Sequence, residues 1–397
     1  MCGTMGGSII HPRGTMQRRD RLMNTLRGQP VDRPAVSFYE INGLDERADD
    51  PDPFNIYSHP SWAPLIELAR EKTDRIVMRS VPLRDAPGDP AGDPLAELTT
   101  TETWYEDGTR TTRRTIRHGR HVFTAVDRRD LDVNTTWRIE HFLKGPDDLR
   151  AWLELPEPPQ VGGVPDTSGV LAAEAALGDS GIVMLDTADP ICLAADLFSM
   201  GDYTVAAATE PALFHRLLER YARIFWPKTE AVAATLPGRL WRIYGPEYAS
   251  VPYLNPRLFR EYVVRYDTPM VRAIQRHGGF ARLHCHGRLK AILDDIAATG
   301  CDGLDPIEPP PQGDIDLRTV RERYGRQMVL FGNLEASDLE NLPTPEFEGR
   351  IRRAIAEGTA GEGRGFVLMA SSCPYGRVLS PLALANYRKM VEVVDET

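Results

Sequence analysis

Eight short apolar runs, each long enough for a strand and too short for a helix, constrain this chain more than any other feature. They fall at 35–41, 75–81, 181–185, 239–244, 281–286, 301–306, 328–331 and 365–370. Periodicity alone does not separate a buried strand from a piece of buried helix, but run length and flanking turn residues do. Between the runs, apolar positions recur at helical spacing, notably over 207–234, 256–277, 289–299 and 381–394. The last of these has a clear start. Ser380 offers a hydroxyl to the free amides of the first turn, and Pro381 has no N–H to lose there. A further helix with Leu22 and Leu26 on one face precedes the first run and ends near Gly28. Strands alternating with helices in this way predict an α/β chain folded as a (β/α)8 TIM barrel, with a doubly wound open sheet as the structural rival.

One segment breaks the alternation. Residues 95–139 are rich in Thr, Arg and aromatics and carry turn signals at Asp107-Gly108 and His118-Gly119. They predict an antiparallel β meander inserted between strands 2 and 3. A barrel needs about 250 residues, so 397 residues allow one elaborated domain. The expected organisation is a Gly-rich flexible tail over 1–16, with Met16 as an alternative start, then a single barrel over 17–397 with its insertion at 95–139. The tail has no apolar stretch of the kind a secretory signal carries. The net charge of -10 is spread over mixed signs, which argues against a nucleic-acid partner. No run reaches the roughly 18 apolar residues a membrane helix requires. Five cysteines, Cys2, Cys192, Cys285, Cys301 and Cys373, are too few and odd for a disulfide framework. They point to a reducing, cytoplasmic setting. Cys192 and Cys301 read as core residues.

In such barrels the chemistry sits at the C-terminal ends of the strands. Here those ends carry Glu40, Asp186, Asp189, Tyr244, Glu247, His284, His286, Asp305, Glu308, Asn333, Glu335 and Cys373. The sharpest local feature is Leu283-His284-Cys285-His286-Gly287. Side chains alternate along a strand, so His284 and His286 face one way and Cys285 the other. Two inward histidines can bind metal, hold a substrate carboxylate, or act as acid and base; their bland alternative is a pair of hydrogen-bonded rim residues. Cys373 follows the eighth strand directly. In a closed ring the fifth and eighth strand ends face one another, so two imidazoles and a thiolate could converge on zinc. Glu247, past the fourth strand, stands as a fourth ligand or as a partner to one. The bland reading of Cys373 is a loop cysteine without a role. Asp302 and Asp305 read as a cap and a rim residue. Gly332 permits close backbone approach, and Asn333 offers both a donor and an acceptor.

Several ordered segments carry a resemblance: Arg21-Leu22, Pro30-Val31-Asp32-Arg33-Pro34, Gly245-Pro246-Glu247-Tyr248, Pro256-Arg257-Leu258-Phe259, His284 to Gly287, Gly300-Cys301-Asp302, Gly332-Asn333-Leu334, and Cys373 ahead of Pro381 and Asn386. In these the chain resembles the uroporphyrinogen decarboxylase superfamily, from Arg18 onward. That group includes the decarboxylases of haem biosynthesis and zinc-dependent methyltransferases that work with corrinoid proteins. The resemblance implies for the true decarboxylases an arginine-rich loop after the first strand. Here that loop runs from Ser37 to Asp45, contains no arginine, and carries Glu40. For the methyltransferase branch it implies zinc on a His, a Cys one residue on, and a distant Cys. His284 matches the first and Cys373 the last, while His286 stands in the middle position.

The expected function is therefore a zinc-dependent methyltransferase-like enzyme, moving a methyl group between a corrinoid and a thiol or related small acceptor. Zinc would sit on His284, His286 and Cys373 with Glu247; Glu40, Asp186, Tyr244, Glu308 and Asn333 would contact substrate. The resemblance implies a methyl-corrinoid co-substrate on a separate protein and a homodimer. The alternatives are a metal-free, uroporphyrinogen decarboxylase-like enzyme using Arg242, Arg288 and Arg377, a zinc hydrolase, and a non-catalytic barrel that binds a tetrapyrrole or a corrinoid protein.

Overall fold

The apolar runs become one parallel sheet. Its strands are β1 (Ala35–Val36), β2 (Arg75–Arg79), β3 (Gly181–Ala188), β4 (Leu240–Tyr244), β5 (Phe280–Cys285), β6 (Gly303–Pro306), β7 (Val329–Leu334) and β8 (Phe366–Ala370). They pair in the order β1-β8-β7-β6-β5-β4-β3-β2, all parallel. The structure is a computed structural model that describes residues 16–84, 94–157 and 163–397; the tail expected over 1–16 lies outside them apart from Met16. The sheet curls until its two ends approach. Asp74 N donates to Val36 O at 2.8 Å, and Val36 N donates to Asp74 Oδ2 at 2.9 Å. Arg21 and Arg33 both reach the fully buried Asp74, so a charged cluster rather than a strand pair joins β1 to β2. The result is an α/β fold of the TIM-barrel kind.

Alternation along the strands sorts the core into two compartments. Ile182, Met184, Leu240, Val329, Phe331, Val367 and Met369 pack together inside the curl, with Leu22 and Leu26 of the first helix (Arg18–Arg27). Their neighbours, among them Val183, Leu185, Ile243, Ala281, Leu283, Cys285 and Leu368, pack outward against the helices. A surface buried on both faces needs apolar residues at every strand position, which is why these strands read as continuous runs. Where polar residues interrupt them, as at Asp186, Arg242, Arg282 and His284, parity points the side chain into the barrel.

Some boundaries differ from the sequence reading. The first strand ends at Val36 rather than 41, because the chain turns at Glu40, which has φ +59°, and winds into a 3-10 helix over Ile41–Arg47. The helical stretch 207–234 is two helices, Met200–Thr209 and Pro211–Thr235. Pro211 supplies no N–H to continue the first, so the break falls there. Helix Leu293–Ala298 is shorter than the 289–299 expected.

Between β2 and β3, strands Thr99–Glu106, Thr109–His118, His121–Asp130 and Thr136–Glu140 form an antiparallel sheet in chain order. Asp107 and Gly108 both adopt positive φ at its first hairpin, as a tight hairpin turn requires. The connection after its third strand reaches the C-terminal end of the barrel. Asn134 N donates to Tyr375 O at 2.7 Å and its Nδ2 to Tyr57 Oη at 2.7 Å; Arg377 Nε donates to Leu131 O at 2.9 Å. Among the described residues no helix is long and apolar enough to cross a membrane.

Candidate active site at the barrel mouth

Strand register builds this site. Arg242 of β4 stands opposite Asp186 of β3, and His284 of β5 opposite Asp305 of β6. In-register neighbours lie within side-chain reach, and each of these pairs closes. Arg242 Nε donates to Asp186 Oδ1 at 2.6 Å and Nη2 to Oδ2 at 3.1 Å. Arg242 Nη1 also meets the Tyr39 hydroxyl and lies 3.9 Å from Glu40. Its guanidinium sits over the rings of both Tyr39 and Tyr244. Burial and the acidic neighbours push the Tyr39 phenol up, so Tyr39 stays protonated. The Tyr39 ring stacks on His284, centroids 5.9 Å apart and planes 10° apart.

His284 and His286 follow the parity expected of them. His284 lies on the inner face with Arg282, while Cys285 packs outward in the helix-side core. His284 Nδ1 lies 2.8 Å from Asp305 Oδ2, and His286 Nδ1 lies 2.8 Å from Glu308 Oε1. Glu308 Oε2 accepts a second bond from Gly287 N at 2.7 Å. The two imidazoles meet edge to face at 4.6 Å. An ionised carboxylate only accepts, so each Nδ1 carries the proton and each Nε2 is left as the basic nitrogen. The two differ in access: the His286 side chain is 35% exposed and that of His284 7%.

Asp305 was expected as a rim residue; it is fully buried beneath the histidines. Burial alone would raise its carboxyl. The charge of Arg282, 2.8 Å away, and the His284 contact outweigh that and hold it down to about 2. Arg282 is itself buried, over the ring of Phe331, and burial pushes its guanidinium down despite Asp305. Its Nη2 has no hydrogen-bond partner among the described residues. At His286 burial works against the imidazolium, yet the Glu308 bond and charge prevail and hold it above the ordinary imidazole value. Glu308 is correspondingly held below the usual carboxylate range, its own burial outweighed by His286.

Cys373, just past β8, is buried against Glu40. Its Sγ lies 3.3 Å from Glu40 Oε2, and burial together with Glu40 pushes the thiol well up. Glu247 Oε2 accepts from Gly245 N at 3.0 Å. It stands near Asp189 and Asp267, two fully buried carboxyls pushed up by burial, Asp189 also by Asp267 and Asp267 also by Glu247. Gly245 has φ +128°, and a Cβ there would lie 2.0 Å from Asp189 Oδ1, so glycine is what lets that turn close. Asn333 lines a separate cavity of about 290 Å³ with Pro309, Pro310 and Glu335. Among the described residues no three His, Cys, Asp or Glu side chains are gathered as a metal-holding group. The imidazoles have the carboxylate-oriented Nδ1 that zinc ligands favour, but Cys373 rests on Glu40. As placed, His284, His286 and Cys373 do not fit zinc.

Tyr39 and Arg282 carry no signal in the sequence reading. Tyr39 sat within an apolar run, and Arg282 is one charged position inside another. An arginine at an inward-parity strand position, two residues before an inward histidine, was the signal available.

The sequence profile of the family described as Uroporphyrinogen decarboxylase (URO-D) matches residues 139–397. No curated protein matches. Among solved structures, a crystal structure of D-psicose 3-epimerase (DPEase) in the presence of D-fructose is similar over 58% of this chain and 83% of its own, at 9% identity and a TM-score of 0.31.

Proposed function

From the premise that this chain belongs to the uroporphyrinogen decarboxylase family, we propose that it is an enzyme of the methyl-transferring kind, acting at the barrel mouth on a thiol or related small acceptor. One observation carries this over a porphyrinogen decarboxylase. Both arginines of the inner wall are already neutralised, Arg242 by Asp186 and Arg282 by Asp305, and the mouth adds Glu40 and Glu308. A substrate with many carboxylates would meet Glu40 and Glu308 there and would have to displace an aspartate to bind either inner guanidinium bidentately; the exposed Arg288, two residues after His286, stands outside these pairs.

His286 Nε2 is the exposed base. Its Nδ1–H is held by Glu308, which fixes the ring and stabilises the imidazolium that forms when Nε2 takes a proton. A thiol bound there gives its proton to Nε2. The sulfur then forms the new bond to methyl, and the donor departs with the electron pair of the bond it loses. His284 and Tyr39 wall the acceptor, and Asp305 keeps the His284 ring in place. The resemblance supports a methyl-corrinoid on a separate protein as donor. A positioned base contributes about 10² to 10⁴ in rate.

The test is methyl transfer from methylcobalamin to a panel of thiols, beside decarboxylation of uroporphyrinogen, for the wild type and His286→Gln. Thiol methylation reduced about a hundredfold or more in the variant is expected. Decarboxylation of the porphyrinogen, or methylation indifferent to His286, overturns the reading. Zinc analysis of the purified protein reports separately on the metal.

A further inference from the structure

At the opposite end of the barrel from the histidines lies a cavity of about 500 Å³. It opens between the connection from the first helix to β1, the helix Leu317–Tyr324 and the lead into β8, and its lining includes Gln29, Asp32, Arg33, Arg321, Gly363 and Arg364. Most of its charges are matched. Asp32 takes two bonds from Arg21 at 2.7 and 2.8 Å. Arg33 pairs with Asp74 at 3.0 Å and Arg364 with Asp302 at 3.0 Å.

Arg321 is different. It is 5% exposed, and its guanidinium meets only carbonyls: Nε donates to Ala360 O at 3.0 Å and Nη1 to Gly365 O at 3.4 Å. No carboxylate lies within ion-pair distance of it among the described residues, and burial pushes the guanidinium below its usual value. A buried cation without a counter-charge costs free energy that a bound anion would recover. The slot that holds it is shaped for it. A Cβ on Gly363 would lie 2.3 Å from Arg321 Cζ, and one on Gly325 would lie 2.6 Å from its Cδ. Two glycines therefore clear the space in which this guanidinium reaches the cavity.

We propose that this cavity binds a small molecule through one anionic oxygen group, a phosphate or a carboxylate, with Arg321 as its anchor. The planar guanidinium presents paired donors that suit either group, and Gln29 supplies a neutral donor on the same wall. The site is remote from the histidines, at the other end of the barrel.

Thermal unfolding of the wild type and of Arg321→Gln tests this, with inorganic phosphate, acetate, or chloride at constant ionic strength. A ligand of the native state raises Tm with the logarithm of its concentration. Phosphate or acetate is expected to raise the wild-type Tm above chloride, and the rise is lost in Arg321→Gln; whichever anion acts identifies the group. No shift beyond chloride in the wild type, or an equal shift in the variant, overturns the proposal. If Arg321→Gln does not fold, wild-type crystals soaked in phosphate and in acetate decide. Density against Arg321 supports the site, and an empty cavity overturns it.

Discussion

Replacing Asp305 by Asn removes one charge from beneath the histidines without changing the shape of the side chain. In the wild type that carboxylate stands between Arg282 Nε and His284 Nδ1, 2.8 Å from each, and is wholly buried. It is held at about 2, against 3.8 for an ordinary aspartate. At about 1.4 kcal/mol per pH unit this amounts to roughly 2.5 kcal/mol of stability. Removing one partner of a buried pair costs about 3–5 kcal/mol in general. The two partners here pull in opposite senses, since burial pushes Arg282 down while its charge holds Asp305 down. The pair is therefore worth less than the carboxylate alone suggests, and a loss of at least about 2 kcal/mol at pH 7 is expected for Asp305→Asn. The pH dependence has a definite sign. A depressed carboxyl contributes fully above its unfolded value near 4 and loses the contribution as pH falls towards about 2. Urea denaturation between pH 2 and 7 should show the wild type losing stability across that window faster than Asp305→Asn. A loss below about 1 kcal/mol at pH 7, or the same acid limb in both proteins, refutes the reasoning.

Three further outcomes follow from the same geometry. Glu308→Gln should lower the His286 pKa towards or below the ordinary imidazole value, read by NMR titration of the ring; the stability this pair contributes is complete between the ordinary carboxylate value near 4.5 and the ordinary imidazole value near 6.5, fading as pH rises through the higher folded His286 value and as it falls through the lower folded Glu308 value. Glu40→Gln should lower the Cys373 pKa and speed its alkylation by iodoacetamide at pH 8, because Glu40 opposes the thiolate. Gly332→Ala should cost more than about 3 kcal/mol or leave no soluble protein, as φ is +142° there and a Cβ would lie 2.0 Å from Pro306 O; a thermal melt of the purified variant checks this.

What the sequence revealed of the site was what parity alone can settle. Alternation over 280–286 places His284 inward and Cys285 outward, and the two core compartments divide accordingly. What it hid depends on register and on loop paths. Nothing in Asp305 itself distinguishes a rim aspartate from one locked under a histidine; the distinction arises because β6 pairs with β5 so that Asp305 faces His284. The expectation that Cys373 converges with the histidines rested on ring closure, which sets strand ends across a space but does not fix the distance between side chains. β8 pairs directly with β1, and the turn that ends β1 so early carries Glu40 to the sulfur.

The charges of the mouth also sort by origin. Those supplied by strands cancel, since Arg242 and Arg282 each have an aspartate one strand away in or near register. Those supplied by loops do not. Glu40, Glu308 and Glu335 come from the turns after β1, β6 and β7, and against them stand the partial charge of His286 and the exposed Arg288 of the turn after β5. Burial, and after it the nearness of Glu308, push the Glu335 carboxyl up. An incoming carboxylate would add to that negative charge. A neutral thiol adds none, and as its proton passes to His286 the new imidazolium is drawn to Glu308 while the thiolate is consumed by the methyl group. The same acidic rim that would repel a polycarboxylate thus favours the protonated histidine on which the proposed transfer depends.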